Sequence, residues 1–347
     1  MTGSVEARSR ARRWLRPLGL LALSLACAYI IVGLVGRIDW SAVRDAIGAV
    51  SLWQFPILLI VLAARQVLNA TPLALFIEGL GMRRAVQNDQ AATLTSTIAP
   101  PPADMVLRLA MFDSWGIPIS NGLAGALMNI LTFYATRFTV PAVGVVLVLA
   151  SNAPYHALYT WTACVGAVIA ITLLVVLRAV VLREQTAIWV GTTGGRLVRR
   201  VKHSVDPEVW AAQAVDFRAH VLHRTRRGLP LSLVLLLVMV IVDGLLLAIC
   251  MRCVGVGAGE LPTLAVVGIF LVAYPLTLFP LAGVGILDAT LMAAFVEIAG
   301  LALEPDIVGG LVVYRVITLG VPMLFGLVSI ALWRRTDGEK AATHVPT

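Results

Sequence analysis

Long apolar runs, separated by short polar stretches, dominate this chain. A helix needs about 20 apolar residues to cross the hydrocarbon core of a bilayer. Runs of that length lie at 17–36, 53–80, 118–150, 157–181, 229–253 and 308–333. The stretch 88–112 is polar and is interrupted by three prolines, and 262–300 is interrupted by proline and glycine. Both predict broken segments, either crossing or re-entrant. Together these elements predict an all-α, polytopic membrane helix bundle with about eight transmembrane helices.

The composition excludes an ordinary soluble protein. Of all residues, 59% are apolar (AVILMFWYC) and only 13% are charged, whereas soluble domains average about 25% charged residues. A soluble surface needs more charge than this chain carries. We therefore expect an integral, multi-pass protein of the cell membrane.

Positive charge is concentrated beside the apolar runs. Most of the 27 lysine and arginine residues lie in three stretches, at 1–16, 183–227 and 334–347. Because cytoplasmic loops of membrane proteins carry an excess of lysine and arginine, this distribution places both termini and the long loop in the cytoplasm. Topology and attraction to anionic lipids then account for the net charge of +8, so we expect no nucleic-acid partner.

These boundaries predict one integral membrane domain, built from two halves joined by a basic loop. The predicted parts are a cytoplasmic basic tail at 1–16, a membrane domain at 17–333 with half one at 53–150 and half two at 229–333, a cytoplasmic loop at 183–227, and a cytoplasmic tail at 334–347.

The basic loop is expected to contain a helix of its own. Asp206 is a suitable N-cap, and Pro207 suits the first helical position. The apolar residues that follow share one helical face: Trp210, Ala214, Phe217 and Val221. This pattern fits a helix that lies on the inner membrane surface, or one that docks a cell-envelope enzyme through 206–228.

Two stretches of the chain are similar to one another. In each, a break with proline is followed by an apolar helix and then by a helix with an isolated arginine. Pro100 precedes Arg137 by 37 positions, and Pro280 precedes Arg315 by 35. The charge pattern gives the two halves opposite orientations, and inverted repeats with broken helices are typical of transporters. The alternative is two unrelated, proline-broken helices.

The motifs at these breaks resemble those of the transmembrane region of lysylphosphatidylglycerol synthases and their stand-alone, flippase-like relatives. They are PPPADMVLRLAMFDSWGIP at 100–118, FPLAGVGILDATLM at 279–292 and VVYRVITLGVPMLFG at 312–326. In the family's first motif, proline is followed by Gly-Asp or Gly-Glu and then by arginine. Here Ala103 replaces that glycine, before Asp104 and Arg108.

The family's second motif is a proline, a Gly-Gly-x-Gly turn and an acidic residue. Here Ala282 replaces the first glycine, and Asp288 takes the acidic position. The resemblance extends over residues 15–335. It implies the lipid-translocating function of the family, without the soluble aminoacyl-transfer domain that the full synthases add.

Charges within apolar runs are the candidate transport residues, because charge is costly inside a bilayer. Arg65, Arg137 and Arg315 stand isolated in apolar helices. The forked donors of arginine suit the phosphate of a lipid headgroup. The alternatives are structural pairing with an acid and snorkelling to the interface. Arg108 is expected at the inner interface, near lipid headgroups.

Acidic residues and helix breaks complete the candidate site. The acids are Asp104, Asp243, Asp288 and Glu297, which are suited to neutralising the arginines or to coupling transport to protons. The broken-helix turns are expected to line a cavity at mid-membrane, since irregular backbone is tolerated there only beside protein or a polar cavity. Their residues are Pro100, Pro101, Pro102, Pro280, Gly283 and Gly285.

The sequence carries no recognisable catalytic motif, and it predicts no cofactor and no metal site. We expect a flippase-like transporter that moves a phospholipid or a polyprenyl- or sugar-linked lipid between leaflets. Two alternatives stay open. One is a membrane-embedded transferase acting on a lipid-linked donor, with an acid such as Asp104 as base. The other is a non-catalytic partner of a cell-envelope synthesis enzyme.

Overall fold

The computed structural model describes residues 50–99, 102–182 and 207–343, with a few isolated positions before 50 and within 183–206. The predicted tail at 1–16 and the predicted first helix at 17–36 lie outside the described residues. So do Pro100, Pro101 and most of the basic loop.

The described residues form helices and contain no strand. In chain order the α-helices are α1 (Gln54–Phe76), α2 (Gly81–Ile98), α3 (Ala103–Ser114), α4 (Ile119–Ala150), α5 (Ala157–Leu182), α6 (Pro207–Cys253), α7 (Thr263–Ala273), α8 (Pro280–Gly283), α9 (Ile286–Ala299), α10 (Glu304–Arg315) and α11 (Val321–Thr343). Two 3₁₀ turns, Tyr274–Leu278 and Leu301–Leu303, and a π turn, Val316–Gly320, join some of them.

Within the described part of the chain, five helical stretches are long and apolar enough to cross a membrane. They are Gln54–Phe76, Ile119–Ala150, Ala157–Ala179, Gly228–Cys253 and Leu301–Thr336. Their length and composition indicate a multi-pass, membrane-embedded helical protein, as the apolar runs predict. The stretch Thr263–Leu278 is apolar but shorter than a simple span.

The helices follow the predicted runs closely where no glycine or proline intervenes. The predicted spans at 118–150 and 157–181 correspond to α4 and α5. The predicted run at 53–80 ends earlier, since α1 stops at Phe76. Gly79 and Gly81 have φ values of 76° and 66°, a left-handed conformation that ends a helix.

Both predicted breaks are present. In the first half, α2 ends at Ile98 and α3 begins at Ala103, with the exposed Pro102 just before it. In the second half, α7 passes into the 3₁₀ turn at Tyr274, and α9 begins only at Ile286. Each half therefore contains two shorter helices where an unbroken span would contain one.

The helix of the basic loop differs from the prediction. It begins at Pro207 as expected but runs without interruption into the apolar span, so that α6 covers 47 residues to Cys253. Pro230 lies inside it. A proline removes one helical hydrogen bond and often kinks a helix rather than ending it. The expectation of a separate surface helix at 206–228 was therefore wrong in its boundary.

The last predicted span, 308–333, is longer and less regular than expected. It starts at Glu304, with Pro305 in the first turn, where proline is well tolerated. The π turn Val316–Gly320 interrupts it directly after Arg315 and before Pro322. Turns of this type occur often at functional sites.

The two halves interlock through their broken segments. Helices α1 and α6 pack along each other, α7 packs along α4, and α2 packs along α11. These contacts are close because glycine lies at each of them. A Cβ atom on Gly144 of α4 would lie 2.6 Å from the carbonyl oxygen of Gly268, and one on Gly326 of α11 would lie 2.7 Å from that of Gln90. The last span of each half thus rests on the broken segment of the other.

Candidate intramembrane polar site

Arg65 and Asp243 form a buried ion pair at the contact between α1 and α6. The Arg65 Nε atom lies 3.0 Å from Asp243 Oδ1, and the Asp243 side chain is only 3% exposed. The Nε–H group is not aimed at the carboxylate, so the contact is electrostatic rather than a directed hydrogen bond. The directed bond to Asp243 comes from the Tyr314 hydroxyl of α10, at 3.0 Å. One acid thus joins three helices.

A chain of amide side chains leads from this pair to α2. The Arg65 guanidinium donates to Gln66 Oε1 at 2.8 Å, and Gln66 donates to Gln90 Oε1 at 3.2 Å. Gln66 and Gln90 are buried. Buried amides of this kind hold helices in one register, because each needs its partner to offset the loss of water.

Asp89, next to Gln90, is the centre of a second buried cluster. Its carboxylate accepts hydrogen bonds from Arg108 Nη2 at 3.0 Å and from Asn69 Nδ2 at 2.7 Å. Arg108 also donates to Asn88 Oδ1 at 3.0 Å. Arg108 therefore donates its hydrogen bonds to side chains of α2, whereas the sequence predicted a position at the headgroup interface.

Arg315 stabilises the second helix break through two contacts. Its Nε atom lies 2.7 Å from Asp288 Oδ1, and its Nη1 atom lies 3.4 Å from the Ala282 carbonyl oxygen. Asp288 Oδ2 in turn accepts the backbone N–H of Gly285 at 3.0 Å. An acid in the first turn of α9 is also favoured by the positive end of that helix. Arg315 and Asp288 thus hold the turn between α8 and α9.

The turn itself contains backbone that favours glycine. Ala282, Gly283 and Gly285 have φ values of 56°, 77° and 88°. Gly283 has a second constraint, because a Cβ atom there would lie 2.6 Å from the Leu276 carbonyl oxygen. Ala282 therefore occupies a left-handed conformation that glycine adopts more readily.

Arg137 has a different environment. Its guanidinium carbon lies 5.0, 5.5 and 5.9 Å from the ring centres of Phe133, Tyr134 and Tyr274. No acid pairs with it among the described residues, and its buried Nε atom has no hydrogen-bond partner there. Cation–π contacts of this kind stabilise a cation by about 0.5–2 kcal/mol but leave its in-plane donors free.

A chain of aromatic contacts connects Arg137 with Arg315. Tyr274, beside Arg137, contacts Phe270 with ring centres 5.7 Å apart, and Phe270 contacts Tyr314 at 6.0 Å. The ring of Tyr314 lies 5.8 Å from the Arg315 guanidinium. The ion pair of Asp243 joins this chain through the Tyr314 hydroxyl.

Two of the predicted acids lie apart from these clusters. Glu297 is half exposed and contacts His156 Nε2 at 2.9 Å, on the loop before α5. Asp104, half-buried in the first turn of α3, has no hydrogen bond or ion pair with any described residue. Among the helix-break residues, Pro280 begins α8.

Sequence reasoning missed a central part of the site. Asn88, Asp89, Gln90 and the aromatic rings of Tyr274 and Tyr314 were not singled out. The polar run 88–90 supports the prediction that 88–112 is no simple span, and polar side chains at membrane depth are also candidates for a functional site. Nothing in one sequence indicates that Tyr274 approaches Arg137, because 137 positions of chain separate them.

The site as a whole combines three arginines that pair with carboxylates and one arginine that has no carboxylate partner among the described residues. Arg65, Arg108 and Arg315 each have a carboxylate within 3.0 Å, whereas Arg137 has aromatic neighbours instead. Such a site is suited to binding an anion at Arg137. The chain matches no protein-family model, no curated protein and no solved structure.

Proposed function

We propose that this protein is a flippase-like transporter that moves a phospholipid or a polyprenyl- or sugar-linked lipid between the leaflets of the cell membrane. One observation carries the proposal: two broken helical segments each pack against the opposite half, and each contains a carboxylate that pairs with an arginine. Transport needs no chemical change of the lipid, so we propose a transporter rather than an enzyme.

Two-fold related contacts support a structural repeat. Arg65 and Asp243 are 178 positions apart, as are Arg137 and Arg315. Residues in equivalent positions meet at a two-fold axis, and Arg65 and Asp243 do contact each other. This pairing is expected of a repeat and would be a coincidence between unrelated helices.

The partners in two glycine contacts follow the same spacing. Gly144 packs on Gly268 and Val272, and Gly326 packs on Gln90 and Leu94. Gly268 lies 178 positions after Gln90, and Val272 lies 178 after Leu94. The glycines themselves are 182 positions apart, about one helical turn beyond that spacing. The same positions of α2 and α7 thus receive a glycine of the opposite half, which favours a common origin of the halves.

The order of spans supports opposite orientations. From the start of α1 to the start of α6 the described chain contains three candidate spans, α1, α4 and α5. If the polar helix α2 and the short α3 do not cross, α6 runs opposite to α1. The halves are then an inverted repeat, the arrangement in which transporters place their sites at mid-membrane. If the span predicted from the sequence at 17–36 is added to this count, both termini are cytoplasmic, as the positive charge of the two tails favours.

The halves differ at their equivalent arginines, and this supports a transport cycle. Arg315 holds Asp288 at the start of α9. Its counterpart Arg137 lies among aromatic rings, while Asp104 at the start of α3 has no partner among the described side chains. An inverted-repeat transporter exchanges the conformations of its halves between its two states, so an unequal pair is expected in either state.

The resemblance to the lysylphosphatidylglycerol synthase transmembrane region suggests which class of molecule is transported. We propose membrane lipids as the substrates. The long helix α6 extends beyond its apolar part, Gly228–Cys253, toward Pro207. We propose that this extension offers a docking element to a cell-envelope enzyme through 206–228.

Reconstitution tests the proposal. The purified protein is placed in vesicles with a headgroup-labelled phosphatidylglycerol, phosphatidylethanolamine or polyprenyl phosphate, and the label exposed to a membrane-impermeant quencher is followed with time. We expect at least one lipid to move faster than in empty vesicles, and Arg315→Ala to slow it. Arg178→Ala, at an exposed position of α5, is the matched control and should leave the rate unchanged.

The same vesicles separate transport from chemistry. Mass spectrometry of the lipids after the assay should find them unaltered. A covalently changed lipid would favour the transferase alternative, with Asp104 as the first residue to substitute. No movement of any lipid class, in wild type or in Arg315→Ala, would contradict transport.

A further inference from the structure

We propose that Arg137 and the groove between α4 and α5 together bind one anionic, phosphate-bearing lipid. The phosphate contacts the Arg137 guanidinium, and a hydrocarbon chain lies in the groove. This inference rests on the proposed function and deepens it, since it assigns separate roles to the three intramembrane arginines.

Of the three intramembrane arginines, Arg137 is the one that has no carboxylate partner among the described residues. The carboxylates of Asp243 and Asp288 already neutralise Arg65 and Arg315. Arg137 has no carboxylate among the described residues, and its Nε atom is buried without an acceptor there. A cation at membrane depth without an anion is costly, and an incoming phosphate removes that cost.

The aromatic neighbours leave the hydrogen-bond donors of the guanidinium available to a ligand. Phe133, Tyr134 and Tyr274 all have ring centres within 6 Å of its carbon. Their rings attract the cation through its charge and accept no hydrogen bond from it here. A phosphate binds arginine in the plane of the guanidinium through two parallel hydrogen bonds.

Two of the residues that line the groove are chain neighbours of Arg137 and of Tyr274, whose ring contacts Arg137. The volume of the groove is about 310 Å³, and its walls include Phe138, Trp161, Val165, Ile169 and Pro275. Phe138 follows Arg137 in the chain, and Pro275 follows Tyr274. The walls are almost wholly apolar, and small-molecule sites have volumes of about 300–1,000 Å³.

The shape and position of the groove select a lipid chain as its occupant. On α5 the lining extends from Leu158 to Ile169, which is about 17 Å along a helix. Trp161 and Val165 are exposed on a helix that is long and apolar enough to span the membrane, so a chain can enter from the bilayer. The adjacent cation then favours an anionic lipid over a neutral one.

Photo-crosslinking tests the site. Proteoliposomes of the full-length protein receive phosphatidylglycerol with a photoactivatable group in its acyl chain, and crosslinked residues are mapped by mass spectrometry. We expect crosslinks at Trp161, Val165 and Ile169. Arg137→Gln should reduce them at least about tenfold, since a hydrogen bond to a charged group is lost, and Arg137→Lys should restore part of the signal. Arg178→Gln should have no effect.

A second pair of variants tests the groove itself. Val165→Trp fills it, whereas Val168→Trp adds the same bulk at an exposed residue of α5 that does not line it. We expect only Val165→Trp to abolish the groove crosslinks. Competition with unlabelled phosphatidylglycerol and with polyprenyl phosphate should each reduce them, and the stronger competitor identifies the source of the phosphate. Zwitterionic phosphatidylcholine should compete at least about tenfold less well.

Several results would overturn the inference. They are crosslinks that persist in Arg137→Gln, crosslinks spread evenly over the lipid-facing residues Val168, Ile171 and Val175, and crosslinks to another protein that covers α5. If wild-type protein transports lipid and Arg137→Gln and Val165→Trp transport it equally well, the site assignment fails and the proposed function stands. If the crosslinks depend on Arg137 but no lipid moves, the binding site stands and transport fails.

Discussion

Replacing Asp243 by asparagine tests the ion pair at the contact between the halves. In wild type, Asp243 is 3% exposed, lies 3.0 Å from Arg65 and accepts the Tyr314 hydroxyl. Asparagine keeps the size and can still accept from Tyr314, but it leaves the charge of Arg65 without a counterion. Removing one partner of a buried ion pair costs about 3–5 kcal/mol. Arg65 is 19% exposed, and its Nε–H is not aimed at the acid, so we expect about 3 kcal/mol.

The measurement is the free energy of unfolding in mixed micelles or by steric trapping in a bilayer. Asp113→Asn, at an exposed site on α3, is the matched control and should change the free energy by less than about 0.5 kcal/mol. Tyr314→Phe should cost about 1.5–3 kcal/mol, because a hydrogen bond to a charged group is lost.

A double-mutant cycle isolates the pair itself. When Arg65→Gln is added to Asp243→Asn, no buried charge is left without a counterion, so the double variant should be more stable than Asp243→Asn alone. The reasoning is refuted if Asp243→Asn is as stable as wild type. It is also refuted if the two substitutions are simply additive, since contacting charges must couple.

Further substitutions test the helix breaks and the packing between the halves. Gly283→Ala should destabilise the protein by about 1–3 kcal/mol, because it adds left-handed strain to a contact at 2.6 Å, whereas Ala282→Gly should be tolerated; thermal unfolding compares the two. Gly326→Ala should also destabilise, since its Cβ would meet the backbone of α2, whereas Gly320→Ala has open space around it and should not; the same unfolding assay decides. Asp89→Asn should cost about 3 kcal/mol or more, as it leaves Arg108 buried without a carboxylate; a stability equal to wild type would contradict the assigned pairing.

The spanning helices could be predicted from sequence because an unbroken apolar run leaves few alternatives. The bounds of α4 and α5 follow the hydropathy pattern to within about two residues. The breaks could also be predicted, since proline and left-handed glycine act locally. By contrast, the loop helix at 206–228 and the span at 229–253 were expected to be separate, and both instead lie within α6, which contains Pro230. Whether a proline ends or only bends a helix depends on tertiary packing, which the local sequence does not contain.

The partners of the buried charges were less predictable than the charges themselves. Isolation in an apolar run identified Arg65, Arg137 and Arg315 equally. Their environments differ because distant segments meet them: Asp243 lies on α6 and Tyr274 on the turn after α7. The repeat spacing of 178 relates Arg65 to Asp243, and a search for equivalent positions would have suggested that pair. No such relation distinguishes Arg137 from Arg315.

The most direct test of the account is the movement of a headgroup-labelled lipid in vesicles that contain the protein. After addition of an impermeant quencher, empty vesicles lose only the label of their outer leaflet. We expect vesicles with wild-type protein to lose the inner-leaflet label as well, and to lose it faster for an anionic phosphate-bearing lipid than for a zwitterionic one. Arg137→Gln should slow this loss, whereas Arg178→Gln should not. If the inner-leaflet label remains protected for every lipid class, the protein is not a lipid transporter.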